Sequence, residues 1–597
     1  MRVLLIRPED SIFDGPWASS KWDRVVDLGH GGIRSYMSAA SQFGCPITSL
    51  DQFRENYREI SKVRSLLGVG RNKLLDRFGM DWWALTSILI HQQLEMIILL
   101  QELARTIKPG DEVSISGPGF HAEALSLILG RRVQFLTPVR PRGAAHYLKT
   151  FQKFPLRQLV EIFWDKADAG YQFRGPFERR PEAHNGDVVL VPTAYVNVSR
   201  IGVAYANTVP DVNFLLVATR RSGWLRNVPA NMSTAWLASY ARRSTETKSE
   251  SRDLVAQWEV LQKELENIPE FNTISRCNFF KPFYYYFEHG PHVRDAWKNV
   301  LESEPVTAVL CADDTNPFTH IPLRLAKQRG LKTIACHHGA LDGRSMVKEC
   351  NAEVILAKGK MELDYLMRLC AVPAKNIVVG APSYGAKAQR SSSPDQDLPN
   401  IVFFSEPYET TGGRAADVYA DLLLPLSELA AQKRKSLIIK LHPAESLAER
   451  KSIVERFLNA EQRKNLRFLT GPLTPELLDR TWFGITVLST VVMECALRGV
   501  PCFLCRWLEF TPYGYIDQFA RFKLGIPLTH PSEIPQIPIR LQAGERDAGR
   551  YEDSWEEASS SLLKTLFCST LERYDACRQS TRDEGSTLTT TVRDARL

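Results

Sequence analysis

Two short segments carry residue types suited to holding a phosphate. In Lys440-Leu441-His442-Pro443 the proline stops the apolar run Ser436-Leu-Ile-Ile, so a lysine and a histidine two positions apart share one face of a strand end. Both side chains can donate hydrogen bonds to an anionic oxygen; a strand that simply ends in His-Pro is the plainer alternative. The run Gly484-Ile-Thr-Val-Leu-Ser489-Thr490-Val-Val-Met-Glu494, continuing to Gly499-Val-Pro501, reads as strand, hydroxyl pair, helix, glycine turn and next strand. Ser489 and Thr490 then fall at a helix N-terminus, where free backbone N–H groups, hydroxyls and the helix dipole favour a phosphate. Glu494, one turn further on, can accept from sugar or ribose hydroxyls. Ser489 serving only as a helix cap is the alternative. Taken together, the two segments predict a nucleoside mono- or diphosphate site.

A third segment, Cys336-His337-His338-Gly339-Ala-Leu-Asp342-Gly343-Arg344, closes the strand Lys332–Cys336. A histidine at a strand end followed by glycine can enter a cleft and act as general base on an acceptor hydroxyl, or donate to a phosphate. Asp313 and Asp314, in Cys311-Ala-Asp-Asp-Thr-Asn316, end another strand and offer alternative bases or caps for the helix that follows. Arg414, in Thr410-Thr-Gly412-Gly413-Arg414, is placed to neutralise a leaving phosphate or to sit in an ordinary polar loop. No Walker A sequence is present, and Gly117-Pro-Gly119 alone is too short a signal for a dinucleotide site. Cys502-x-x-Cys505 lies in an apolar strand without a second ligand pair, so zinc is not expected.

The elements that must position these residues recur as short β-branched runs, Gly/Ser/Asp-rich breaks and helical stretches, the pattern of parallel α/β layers. An N-terminal α/β unit is expected over 1–180, with strands at Val3–Ile6, Val25–Leu28, Glu112–Ser116 and Val133–Leu136 and a long helical stretch over Asp81–Thr106. A second unit, 185–388, carries strands at Asp187–Pro192, Asn213–Ala218, Thr307–Cys311, Lys332–Cys336, Glu353–Leu356 and Asn376–Val379. A third, 398–545, carries strands at Ile401–Phe404, Ser436–Leu441, Leu466–Leu469, Gly484–Val487 and Pro501–Leu504. Residues 546–597 read as a closing helix and a disordered Ser/Thr/Arg-rich tail. Two adjacent parallel units suggest a cleft, because open sheets bind ligands at the carboxyl ends of their strands.

In their order along the chain, His338-Gly339, Gly380-Ala-Pro, Lys440-Leu-His-Pro443 and Ser489-Thr-x-x-x-Glu494 resemble bacterial GT-B-type surface-polysaccharide enzymes. The likeness is to CDP-glycerol glycerophosphotransferases and, more distantly, to CMP-sugar transferases and UDP-N-acetylglucosamine 2-epimerases, over about residues 300–540. It implies two facing Rossmann-like units in a GT-B-like fold, to which the pattern of residues 1–180 adds an N-terminal α/β unit. It also implies that His442, Ser489 and Thr490 bind donor phosphate and that His338 is the base. The doubled histidine and the following Ala-Leu-Asp-Gly depart from the glycerophosphotransferase pattern, and residues 1–180 match no known family. The expected activity is a glycosyltransferase or related group transferase using a nucleotide-activated sugar donor and a glycan or lipid-linked acceptor in surface-polysaccharide assembly. A nucleotide-sugar epimerase or hydrolase, or an inactive scaffold, is the competing reading. No cofactor or metal is expected, although Asp313 and Asp314 keep a metal-assisted variant open.

Charge narrows the partners. The chain of 597 residues has 75 Lys+Arg against 68 Asp+Glu, and residues 131–180 hold eleven basic residues against four acidic ones, the whole of the +7 excess. A nucleic-acid footprint needs positive charge along a broad surface, so no nucleic-acid partner is expected. Aromatics interleave with these basic residues, which suits docking on an anionic membrane surface as well as a solvated helical connection. No secretory signal is read at Met1-Arg-Val-Leu-Leu-Ile-Arg. Ala84–Leu103 reads as a packed amphipathic helix whose apolar runs are too short to span a membrane. Scattered cysteines in apolar strands fit a cytoplasmic protein, peripheral on the membrane at most.

Overall fold

The computed structural model describes residues 1–136, 186–383, 398–544 and 554–568, apart from positions 14, 16, 18, 19, 56, 243, 313–315, 349, 350, 411 and 510. Asp313, Asp314, most of the basic segment 131–180 and the C-terminal tail therefore lie outside the described residues.

Apolar runs buried on both faces form three all-parallel sheets of five, seven and six strands. The first sheet contains β1 (Arg2–Ile6), β2 (Arg24–Asp27), β3 (Ile47–Ser49), β4 (Glu112–Ile115) and β5 (Gln134–Phe135), in the order β3-β2-β1-β4-β5. The second contains β6 (Val188–Thr193), β7 (Asn213–Ala218), β8 (Met232–Trp236), β9 (Val306–Cys311), β10 (Lys332–Cys336), β11 (Val354–Ala357) and β12 (Ile377–Val379), in the order β12-β11-β10-β9-β6-β7-β8. The third contains β13 (Asn400–Phe404), β14 (Ser436–Lys440), β15 (Leu466–Leu469), β16 (Thr481–Thr486), β17 (Cys502–Cys505) and β18 (Ile526–Leu528), in the order β15-β14-β13-β16-β17-β18. The second and third sheets form two Rossmann-like units of an α/β fold, and the first is the additional N-terminal unit. Strand order reverses between β1 and β4, between β6 and β9, and between β13 and β16. At such switch points loops diverge to opposite faces and leave a crevice.

Helices that matter below are α1 (Ile33–Phe43), α2 (His91–Arg105), α3 (Phe120–Leu129), α4 (Thr245–Leu265), α5 (Lys281–Ser303), α6 (Ala415–Gln432), α7 (Val491–Leu497) and α8 (Ser560–Cys568). The run Trp82–Arg105 is long and apolar enough, by length and composition, to cross a membrane, so its length does not exclude a span as the sequence suggested. Packing accounts for its apolar residues: 67% of its most apolar window is buried inside the protein. Trp83 stacks on Trp258 of α4, with ring centroids 6.2 Å apart, and meets Phe283 of α5 edge-on. The indole of Trp82 donates to Asp76 at 3.0 Å, and Asp76 in turn receives the fully buried Arg294 of α5 at 2.6 Å.

The N-terminal unit is thus joined to the second unit, and it is equally joined to the third. Asp421 of α6 accepts the backbone N–H groups of Ile33 and Arg34 at 2.8 and 3.1 Å, so the first turn of α1 is capped by a side chain from another unit. Ser35 donates to Asp417 of α6 at 2.8 Å. One continuous apolar core runs through all three sheets, including Val3, Trp258 and Ile401.

Candidate active site

At the third sheet's switch point, the loops after β13 and β16 are tied by one carboxylate. Glu406 accepts from Thr486 Oγ1 at 3.0 Å and from the N–H of Leu488 at 2.8 Å. Burial pushes its carboxyl up to about 7. This bond fixes the turn that presents Ser489, half-buried, and Thr490, exposed, ahead of α7. Ser489 Oγ accepts the N–H of Val491 at 3.3 Å. Glu494 follows one turn into α7; burial pushes its carboxyl to about 7, and its Oε2 has no partner.

His442 stands exposed just beyond β14. Its N–H donates to Glu445 Oε2 at 2.7 Å, and its Nδ1 accepts the N–H of Ala444 at 3.1 Å, which leaves the ring proton on Nε2. Burial lowers the imidazole's affinity for a second proton. Behind it, Glu445 receives Ser405 Oγ and Arg450 Nε, both at 2.7 Å, and Arg450 grips Glu409 with two bonds of 2.7 Å.

Two expected phosphate ligands are placed elsewhere. Lys440 is buried, and its ammonium donates to the carbonyls of Leu441 at 2.9 Å and Gly471 at 2.7 Å, stitching β14 to the loop after β15 instead of joining His442. Arg414 is also buried. It forms a bidentate pair with Asp27 of the N-terminal unit and donates to the carbonyls of Asp10 and Arg7, each at 2.8 Å. Those bonds occupy four of its five N–H groups, so Arg414 belongs to the contact between units and not to a phosphate site.

Across the cleft, β10 delivers His337 and His338, whose ring centroids are 4.6 Å apart. Burial drives the pKa of His337 well below its usual value, and its Nδ1 is buried without a partner. The charge of Asp342 opposes that shift. Asp342 itself is buried, but Lys348 at 2.8 Å and Arg344 at 3.0 Å hold it ionised. His338 is exposed. Gly339 brings this turn against the third unit: a Cβ there would lie 3.4 Å from Thr490 Cγ2. A second contact follows, the N–H of Gly343 donating to Tyr515 Oη at 2.7 Å. The structure therefore brings His337, His338, Ser489 and Thr490 to one junction, with His442 and Glu494 on the third-sheet side of it.

Beside this junction lies a cavity of about 560 Å³ that all three units wall. His30, His91 and His121 come from the N-terminal unit, His337 and Arg344 from the second, and Thr511 and Tyr513 from the third. His337 and Arg344 belong to a segment singled out from the sequence, whereas His30, His91 and His121 meet them only in the folded chain and carry no local signal. Glu406 and the Glu445–Arg450 pair were missed as well; the first had one available signal, its place at the end of the central strand where the order reverses. Among the described residues, no group of three or more His, Cys, Asp or Glu is placed to hold a metal ion.

No family model matches this chain, and no curated protein sequence matches it. Solved structures with a similar course include a UDP-GlcNAc 2-epimerase from Methanocaldococcus jannaschii, at 12% identity over 64% of this chain and 99% of that one, with a TM-score of 0.40. MurG from Acinetobacter baumannii gives 13% identity, 64% and 99% coverage and a TM-score of 0.39. A glycosyltransferase from Rickettsia africae gives 10% identity, 68% and 100% coverage and a TM-score of 0.36. Likenesses this remote do not bear on what this chain binds or does.

Proposed function

We propose that this chain is a cytoplasmic glycosyltransferase, moving a sugar or sugar-like group from a nucleotide-activated donor to a hydroxyl of a surface-polysaccharide acceptor. The observation that carries the reading is the meeting of the His337–Gly339 turn with the Ser489–Thr490 turn, where the carboxyl ends of two parallel sheets face one another. In this reading the donor phosphates lie at the third sheet's switch point. Ser489 Oγ and the Nε2–H of His442 donate to them as charge develops on the leaving nucleotide. Glu494, whose Oε2 lacks a partner, accepts from a donor hydroxyl. His337 is neutral because it is buried, so its free Nδ1 can take the acceptor's proton, and the imidazolium formed is stabilised by Asp342. The basic segment 131–180, most of it outside the described residues, remains the proposed contact with an anionic membrane surface.

Thermal-shift titration with UDP, CDP, CMP and GDP tests the donor site. A nucleotide at 100 times its dissociation constant stabilises the fold by about 2.7 kcal/mol. A melting temperature indifferent to all four overturns the reading. Conversion of a nucleotide sugar in the absence of any acceptor replaces the transferase with an epimerase or hydrolase.

A further inference from the structure

The cavity walled by the three units has a distinctive chemistry. Its cations are committed to neighbouring carboxylates: Arg54 pairs with Asp51 at 2.8 Å and Glu95 at 2.5 Å, and Arg344 pairs with Asp342 at 3.0 Å. Four of the chain's twelve histidines line the cavity. One of them, His30, is spanned between Asp51 at 3.3 Å and the carbonyl of Trp507 at 3.1 Å. The other three are held neutral by burial: His121 is pushed down to about 4, with the charge of Arg7 adding to the effect, and His91 and His337 are lowered in the same direction.

Neutral polar atoms are what remain uncommitted. His91 Nε2, Gln93 Oε1, His337 Nδ1 and Thr511 Oγ1 all belong to cavity-lining residues, and all are buried without a hydrogen-bond partner. Polar atoms in that state are rare in folded proteins, and four around one cavity call for an explanation. Phe120 and Tyr513 supply aromatic surface beside them. The volume, about 560 Å³, falls within the range of small-molecule sites.

We infer that this cavity is a carbohydrate-binding subsite in which the N-terminal unit, through His91, Gln93 and His121, holds a neutral pyranose ring. A phosphate or carboxylate would enter a wall with no uncommitted cation. A sugar brings hydroxyls that both donate and accept, and so can pair with these imidazole, amide and hydroxyl groups once the side chains turn their enclosed atoms toward it. His337 belongs both to this wall and to the junction with Thr490. If the transferase reading above holds, the bound sugar is therefore the acceptor, and the N-terminal unit is its reader; naming it the acceptor rests on that reading, whereas the binding itself does not.

Saturation-transfer difference NMR on the full chain with glucose, galactose, mannose and N-acetylglucosamine tests the assignment. At least one sugar is expected to receive saturation. Gln93→Leu and the near-isosteric Thr511→Val are each expected to weaken its binding about fivefold, the equivalent of about 1 kcal/mol for one hydrogen bond. Both variants are to be checked for an unchanged circular dichroism spectrum. His442→Ala, on the third-sheet side, is expected to leave sugar binding as it was. Silence from all four sugars, survival of full binding in both variants, or displacement of the sugar by equimolar inorganic phosphate overturns the assignment. Sugar binding without any nucleotide-induced thermal shift keeps the cavity and removes the transferase; a nucleotide shift without sugar binding does the reverse.

Discussion

Arg414, immediately before α6, and Asp27, the last residue of β2, form a bidentate ion pair that joins the third unit to the N-terminal one. Both side chains are buried, with exposures of 6% and 0%. Removing one member of such a pair leaves the other charge stranded, which costs about 3–5 kcal/mol, whereas replacing both by apolar groups costs far less. Asp27→Asn is therefore expected to lower the urea midpoint markedly, and Asp27→Asn combined with Arg414→Met to recover part of it. Equal loss in the single and double variants would show that the pair does not hold the units together.

Lys440 and His442, two positions apart in the sequence motif, are expected to separate under mutation. Lys440→Met strips the buried carbonyl of Leu441 and the partly buried one of Gly471 of their donor and is expected to cost about 1–3 kcal/mol of stability, with nucleotide affinity retained. His442→Ala leaves stability close to that of the parent, because the side chain is exposed, and weakens nucleotide binding about tenfold. Isothermal titration with the nucleotide found in the thermal screen, alongside urea unfolding, reads both quantities. A Lys440→Met protein that folds normally but loses nucleotide would return Lys440 to the phosphate site.

Three buried carboxyls, Glu406, Glu494 and Glu509, have their pKa values raised by burial from 4.5 to about 7. Between these values the folded chain holds protons that the unfolded chain has released. Their contribution to stability is complete below about pH 4.5 and is lost as pH rises through about 7, with a slope of up to about 1.4 kcal/mol per pH unit for each group. Glu406→Gln is expected to flatten part of this slope and to be more stable than the parent at pH 8. Unfolding midpoints measured from pH 5 to 8 check it, and parallel profiles for parent and variant would contradict it.

Catalysis by His337 has its own pH signature. A base whose pKa lies well below the ordinary histidine value stays unprotonated in mild acid, so turnover is expected to persist below pH 6.5. His337→Ala is expected to lose about 10²–10⁴ in turnover while nucleotide affinity is unchanged. The decisive comparison is His338→Ala: if that substitution, and not His337→Ala, removes turnover, the exposed ring is the base.

Most of the central strands were legible because strands buried on both faces must be continuous apolar runs, as in Val188–Thr193 and Asn400–Phe404, whereas their order in the sheets was not. Three edge strands, β3, β8 and β18, were not legible, although β5, β12 and β15 were. Met-Ser-Thr-Ala-Trp at β8 and Ile-Pro-Leu at β18 are short or interrupted, and only pairing with β7 and β17 makes them strands. Helix α5 was hidden by Pro282, Pro291 and a run of aromatics that fills the space against Trp83 and Trp258. Local spacing was enough to place Ser489, Thr490, His337 and His442 beyond strand ends, where the structure has them. The fates of Lys440 and Arg414 could not, since their partners Gly471 and Asp27 are set by the fold. The same holds for the N-terminal wall of the cavity.

Helix α8 follows the third unit in sequence yet seals the second: Leu563, Leu566 and Phe567 fill the core beneath that sheet. Thr307 of β9 donates to the carbonyl of Phe567 at 3.2 Å, and Ala381 exchanges backbone bonds with the returning chain at Glu556 and Ala558. Synthesis runs from the N-terminus, so strands β6–β12 leave the ribosome before residues 560–568, whose Leu563, Leu566 and Phe567 complete their core. The nascent second unit must wait while the whole third unit is translated. A translational pause or a premature stop before codon 560 thus exposes the chain to chaperone capture or aggregation even when everything upstream has been made correctly.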